Sequence, residues 1–179
     1  MMKLDDRIRV FKEWFPPMQY DTYKIISKLD KLGYFTAPAS TKYHGNYEGG
    51  LFDHSLKVTE CLNELTINMG LEWENYRSLY IIGLFHDLCK CDQYILNEDG
   101  TYSYNKNLTL NGHGEKSIII AQQILEAPLT EEEILCIRWH MGAFDDKENW
   151  NSYGLAIEKY PNVLWTHTAD MMASRIMGV

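Results

Sequence analysis

The sequence predicts an all-α fold, a bundle of helices carrying one small β-hairpin. Three observations predict it. Apolar residues recur at three- and four-residue spacing along most of the chain, the pattern of helices that bury one face. Helix punctuation falls between these runs: Pro16-Pro17, Gly33, Gly70, the Thr130–Glu133 capping box and Pro161. One stretch alone, Tyr94 to Tyr104, places β-prone residues on both sides of an Asp-Gly turn.

The elements follow in order. A first helix is expected from about Lys3 to Trp14, stopped by Pro16-Pro17, and a second from about Met18 to Leu32, closed by Gly33. Thr36 to Gly50 reads as a loop, and loops of that length inside compact domains are often functional. A third helix is expected over Phe52 to Asn68 and a fourth over Trp73 to Lys90. The run YRSLYIIGLFHDLCK in the fourth is apolar on nearly every side, as in a helix buried at the centre of a bundle. The hairpin pairs Tyr94–Leu96 with Thr101–Tyr104. Further helices are expected over Glu115–Glu126, from Thr130 to about His140, over Ser152–Lys159 and over Asn162–Met177. No repeat, low-complexity segment or linker interrupts the 179 residues. The expectation is one domain over 1–179, with the helices of 1–35 packed on a core spanning 49–175.

Composition narrows the function classes. A hydrophobic fraction of 45% with 23% charged residues is ordinary for a globular chain. No apolar run reaches the ~18 residues of a membrane helix, and the N-terminus lacks a signal-peptide core, so a cytoplasmic protein is expected. The four cysteines, Cys61, Cys89, Cys91 and Cys136, form no CxxC pair and read as reduced, buried thiols. A net charge of −8 disfavours wrapping of long nucleic acid, where phosphate neutralisation dominates, but leaves a small nucleotide open.

The six histidines carry the chemistry. His54 lies on the apolar stripe of its helix with Val58, Cys61, Leu62 and Leu65. There it is either a hydrogen-bonded core residue or a ligand. His86-Asp87 ends the most apolar helix, where an ionised carboxylate needs a compensating partner, and a cation is the strongest. Lys90 projects from the same face and suits a phosphate or the helix dipole. His113 stands between Gly112 and Gly114, His140 on the inward stripe of its helix, and Asp170 in mid-helix among apolar neighbours. Each has a structural alternative by itself, but four imidazoles and two carboxylates on five segments, most on inward faces, are residue types that ligate first-row transition metals.

In this order, the residues resemble the HD superfamily of metal-dependent phosphohydrolases. The carrying motifs are GGLFDHSL at His54, FHDLCK at His86-Asp87, GHGEKS at His113, IRWHMG at His140 and HTADMMASR at Asp170. The resemblance extends to bacterial and prophage members and implies an HD-domain helical bundle. It further implies one divalent metal (Mn, Fe, Ni, Co or Zn) on His54, His86, Asp87 and Asp170. A second would sit on His113 and His140, with Asp87 bridging. Met141 stands where some two-metal members have a further histidine. The implied reaction is metal-assisted attack of water on a phosphomonoester or phosphodiester of a small nucleotide-like molecule, with Asp87 and Lys90 as catalytic groups. Lys42, Tyr43 and His44, in the loop leading into His54, are candidate substrate contacts. His167 is a candidate to orient Asp170, and Asp145 and Asp146 are candidates for the rim. A 3'-5' nuclease acting on RNA or DNA, a non-catalytic ligand-binding or signalling module, and a diiron oxygenase are the alternatives.

Overall fold

The computed structural model describes residues 2–15 and 20–179. Among these, eight α-helices and a two-stranded antiparallel hairpin make up the expected all-α bundle. They are α1 (Leu4–Trp14), α2 (Thr22–Lys31), α3 (Gly50–Met69), α4 (Ser78–Phe85), β1 (Tyr94–Leu96), β2 (Tyr102–Tyr104), α5 (His113–Leu125), α6 (Glu131–Trp139), α7 (Trp150–Lys159) and α8 (Asn162–Met171). The expected start of the second helix at Met18, and the Pro16-Pro17 stop, lie outside the described residues.

Local chemistry sets most boundaries. The Asp21 side chain accepts from the Lys24 N–H and starts α2. The Thr130–Glu133 capping box forms in full and starts α6. Gly49, with φ +81°, and Gly50 allow the 36–50 loop to turn tightly into α3. A Cβ on Gly50 would lie 1.9 Å from the Gly45 carbonyl oxygen, so the close approach requires a residue without one. Arg7 of α1 clamps the same corner through Asp53 Oδ1 at 2.9 Å and the Glu48 carbonyl at 3.0 Å.

The fourth helix is shorter than Trp73–Lys90. Residues 71–77 form a turn, pinned where Trp73 Nε1 donates to Thr66 Oγ1 and Arg77 Nε donates to Glu133. At the far end α4 stops at Phe85, and side chains bond its last carbonyls. Tyr34 Oη donates to the Leu84 carbonyl at 2.6 Å, and His86 Nδ1 lies 2.9 Å from that of Gly83. In a continuing helix those oxygens would accept from Leu88 and Asp87. The chain instead turns at Asp87 (φ −110°, ψ 18°) into a 3₁₀ turn, Leu88–Cys91. Two further boundaries move: α5 opens at His113 rather than Glu115, and the end of the last helix widens into a π turn over Met172–Met177.

One apolar core runs from Phe11 to Ala173. An aromatic group of Phe11, Phe15, Tyr34, Phe35, Phe52 and Phe85 ties the N-terminal helices to α3 and α4. Each such side chain contributes about 1.5–3 kcal/mol on burial, so the turn holding His86-Asp87 rests on a well-packed aromatic group.

Candidate metal centre

Five segments deliver six side chains to one point. His54 comes from the second turn of α3, His86 and Asp87 from the turn after α4, His113 from the first residue of α5, His140 from just beyond α6, and Asp170 from the end of α8. Asp87 lies at the centre. Its Oδ2 is 3.5 Å from His54 Nε2, 3.4 Å from His86 Nε2 and 2.7 Å from Lys90 Nζ. Its Oδ1 is 3.0 Å from His113 Nε2 and 3.4 Å from His140 Nε2. Asp170 Oδ1 stands 3.2 Å from His54 Nε2. The carboxylate of Asp87 thus presents a different oxygen to each pair of imidazoles.

The other ring nitrogens are held from behind. His86 Nδ1 faces the Gly83 carbonyl and His140 Nδ1 faces the Ile137 carbonyl at 2.7 Å, each three residues back at a helix end. His54 Nδ1 faces the Val179 main-chain oxygen at 2.8 Å. His113 differs: its Nδ1 is 3.1 Å from the Cys89 sulfur. With Nδ1 engaged, each Nε2 is turned toward the carboxylates, the arrangement that leaves an imidazole nitrogen available to a metal.

The donor set fits a cation. Among the described residues, Asp87 Oδ1, His113 Nε2 and His140 Nε2 are buried and have no hydrogen bond of acceptable geometry, despite lying 3.0–3.4 Å apart. Such orphaned buried groups are costly unless something satisfies them. Three overlapping sets could each hold an ion: His54, His86 and Asp170; His86, Asp87 and His140; and Asp87, Cys89 and His113. Burial pushes the Asp87 carboxyl up, but Lys90, His86 and the outer imidazoles outweigh it and hold it well below the usual carboxylate range. Asp170 is likewise buried and held low by His54. Both carboxylates are therefore ionised, as ligands must be.

Comparison with known proteins matches residues 51–167 to the HD domain. This chain belongs to that family. The chain is also 38% identical over 71 residues to the dihydroneopterin 2',3'-cyclic phosphate phosphodiesterase of Methanocaldococcus jannaschii. The match covers 38% of this chain and 28% of that protein. No solved structure gives a significant match. No helix among the described residues is long and apolar enough to cross a membrane.

The cluster opens onto a cavity of about 360 Å³ lined by Asp87, Lys90, His113 and Asp170. Of the three loop residues expected to contact substrate, Tyr43 and His44 line it, whereas Lys42 is exposed and lies elsewhere. The His44 ring sits 4.9 Å from that of His54, and its buried Nε2 has no partner among the described residues. Burial, reinforced by His54 and Lys90, lowers its pKa to about 4, so it is neutral. His167 does not orient Asp170. Its Nδ1 faces the His140 carbonyl at 2.7 Å, steadying the turn that carries His140. Asp145 is tied to Arg138 at 2.6 Å and to Asn149, with Asp146 exposed beside it. Sequence reasoning passed over Cys89, read only as an inert thiol, and the cavity walls Tyr94, Tyr104, Phe144 and Arg175. The signal for Cys89 was its place two residues after Asp87, in the turn that the HD pair begins.

Proposed function

We propose that this HD-family chain is a metal-dependent phosphohydrolase acting on a phosphomonoester or phosphodiester of a small nucleotide-like molecule. The observation that carries the reading is the division of Asp87, one oxygen toward His54 and His86 and the other toward His113 and His140. A bridging carboxylate is what a pair of ions needs, and one ion on His54, His86, Asp87 and Asp170 with a second on His113 and His140 is the assignment we favour. Divalent ions held there lower the pKa of water toward neutrality and polarise a phosphoryl oxygen.

The chain's own residues do the rest. Asp87 and Asp170 hold negative charge at a fixed place without needing to titrate. Lys90, buried against Asp87, keeps its proton and presents a cation to the cavity where phosphate charge develops. His44 offers an unpartnered Nε2 to an ester oxygen. The cavity lies near the small end of ligand pockets, and with the net charge of −8 this favours one small ester over a nucleic acid strand. The continuous core from Phe11 to Ala173 supports reading the chain as one domain.

Two measurements test the proposal. Elemental analysis of the purified protein should find one or two equivalents of Mn, Fe, Ni, Co or Zn. The metal-loaded protein should then hydrolyse at least one member of a panel of nucleoside monophosphates and cyclic phosphates, including the pterin cyclic phosphate named in the relative. No metal binding, or no turnover across the panel, sinks it.

A further inference from the structure

The hairpin is the only sheet among the described residues. Two three-residue strands make a unit too small to be stable alone. The chain nevertheless spends residues 92–105 on it, directly between the HD pair and His113. Its strands pair Tyr94 with Tyr104 in register, and the two rings meet edge to face at 5.3 Å. Both line the metal cavity. Tyr94 is half-buried, while Tyr104 leaves 61% of its surface exposed. Phe144, from the segment after α6, lines the same cavity with 60% exposed, and the Arg175 guanidinium sits 5.8 Å from its ring centre.

Singly exposed aromatics are ordinary, but Tyr43, Tyr94, Tyr104 and Phe144 are grouped around one cavity, and a grouped apolar patch marks a binding surface. A planar heterocycle would cover them, because an aromatic face accepts any π-face by stacking and a neighbouring arginine adds a cation–π contact. The charges have matching positions. Lys90 lies with the ligand carboxylate Asp87, and Arg175 lies with the exposed aromatic Phe144. We propose that the hairpin is the specificity element of this site. Tyr104, backed by Tyr94, stacks on the heteroaromatic ring of a phosphorylated substrate, and Phe144 with Arg175 forms a second face for it. This rests on the phosphohydrolase reading for the position of the phosphate, but not for the ring contact itself.

The test separates the two. Binding of GMP and of ribose 5-phosphate to the full chain loaded with Mn²⁺ is measured by rapid-mixing fluorescence, which reads association before turnover. These ligands share a phosphate and differ by the ring. Wild type should bind GMP at least about tenfold more tightly than ribose 5-phosphate. Tyr104→Ala should raise the Kd of GMP about tenfold and that of ribose 5-phosphate less than twofold, and Tyr104→Trp should restore GMP binding. Phe144→Ala should act in the same direction as Tyr104→Ala. Equal affinity for the two ligands in wild type, or equal weakening of both by Tyr104→Ala, overturns the hairpin assignment while leaving hydrolysis untouched. Tyr104-dependent GMP binding in a protein that hydrolyses no phosphate ester supports the ring contact and sinks the hydrolase reading alone.

Discussion

The imidazoles on the Oδ2 side of Asp87 and those on its Oδ1 side are held in different ways. On the inner side, the His54 and His86 side chains are 0% exposed, and both Nδ1 atoms meet main-chain oxygens. On the outer side, His140 is as well buried, but the His113 side chain is 28% exposed and its Nδ1 rests on a thiol. The inner half is a by-product of packing α3 against α4 and α8. The outer half depends on how closely α5 approaches α6. A Cβ on Gly114 would come within 2.6 Å of the Arg138 carbonyl oxygen, so a larger residue there would push His113 away from His140. Burial encloses His54, His86 and His140 and leaves His113 partly open, and His113 lines three cavities.

The largest expected effect removes what the halves share. Asp87→Asn should lower turnover about a thousandfold, since metal-based stabilisation supplies several kcal/mol and each 1.36 kcal/mol is a factor of ten. Retained wild-type turnover on the best ester of the panel would refute the bridging role. Next comes the contrast itself. In metal-free protein, His54→Ala should cost about 2–4 kcal/mol in urea unfolding, because it opens a hole in the core. His113→Ala should cost under about 1 kcal/mol. Equal losses would mean that the halves are not built differently.

A smaller effect sharpens the outer half. Cys89→Ala should weaken metal affinity there about 10–100-fold, read by titration calorimetry, because its thiol is the partner of His113 Nδ1 among the described residues. Cys89→Ser should recover most of it, and first-site stoichiometry should not change in either variant. An Ala variant with wild-type affinity would show that the thiol is mere packing.

The smallest effect lies far from both halves and serves as a control. Lys24 first, and then Lys28, hold the exposed Glu126 carboxyl down to about 2 from 4.5. A depressed carboxyl stabilises above its unfolded pKa and loses that contribution as pH falls through its folded value. The Tm difference between wild type and Glu126→Gln should therefore be small near pH 7, vanish toward pH 2 and shrink in high salt. Metal content should be the same in both. A Tm difference that persists at pH 2 would contradict the ion-pair account.

The residue pattern alone determined the helical class, the hairpin and the six converging side chains, because each is encoded locally. Periodicity marks a buried face, a capping box marks a start, and a histidine or carboxylate on an apolar stripe demands a partner. Several features were decided only when distant segments met. Helix α4 ends at Phe85, where Tyr34, fifty residues earlier, bonds the Leu84 carbonyl. Cys89 matters because α5 places His113 beside it, and His167 serves the His140 turn rather than its helical neighbour Asp170. Lys42 falls outside the cavity although its neighbours Tyr43 and His44 line it. The common reason is that a hydrogen bond or a cavity wall depends on positions in space to within an ångström, whereas periodicity reports only which side of an element faces inward.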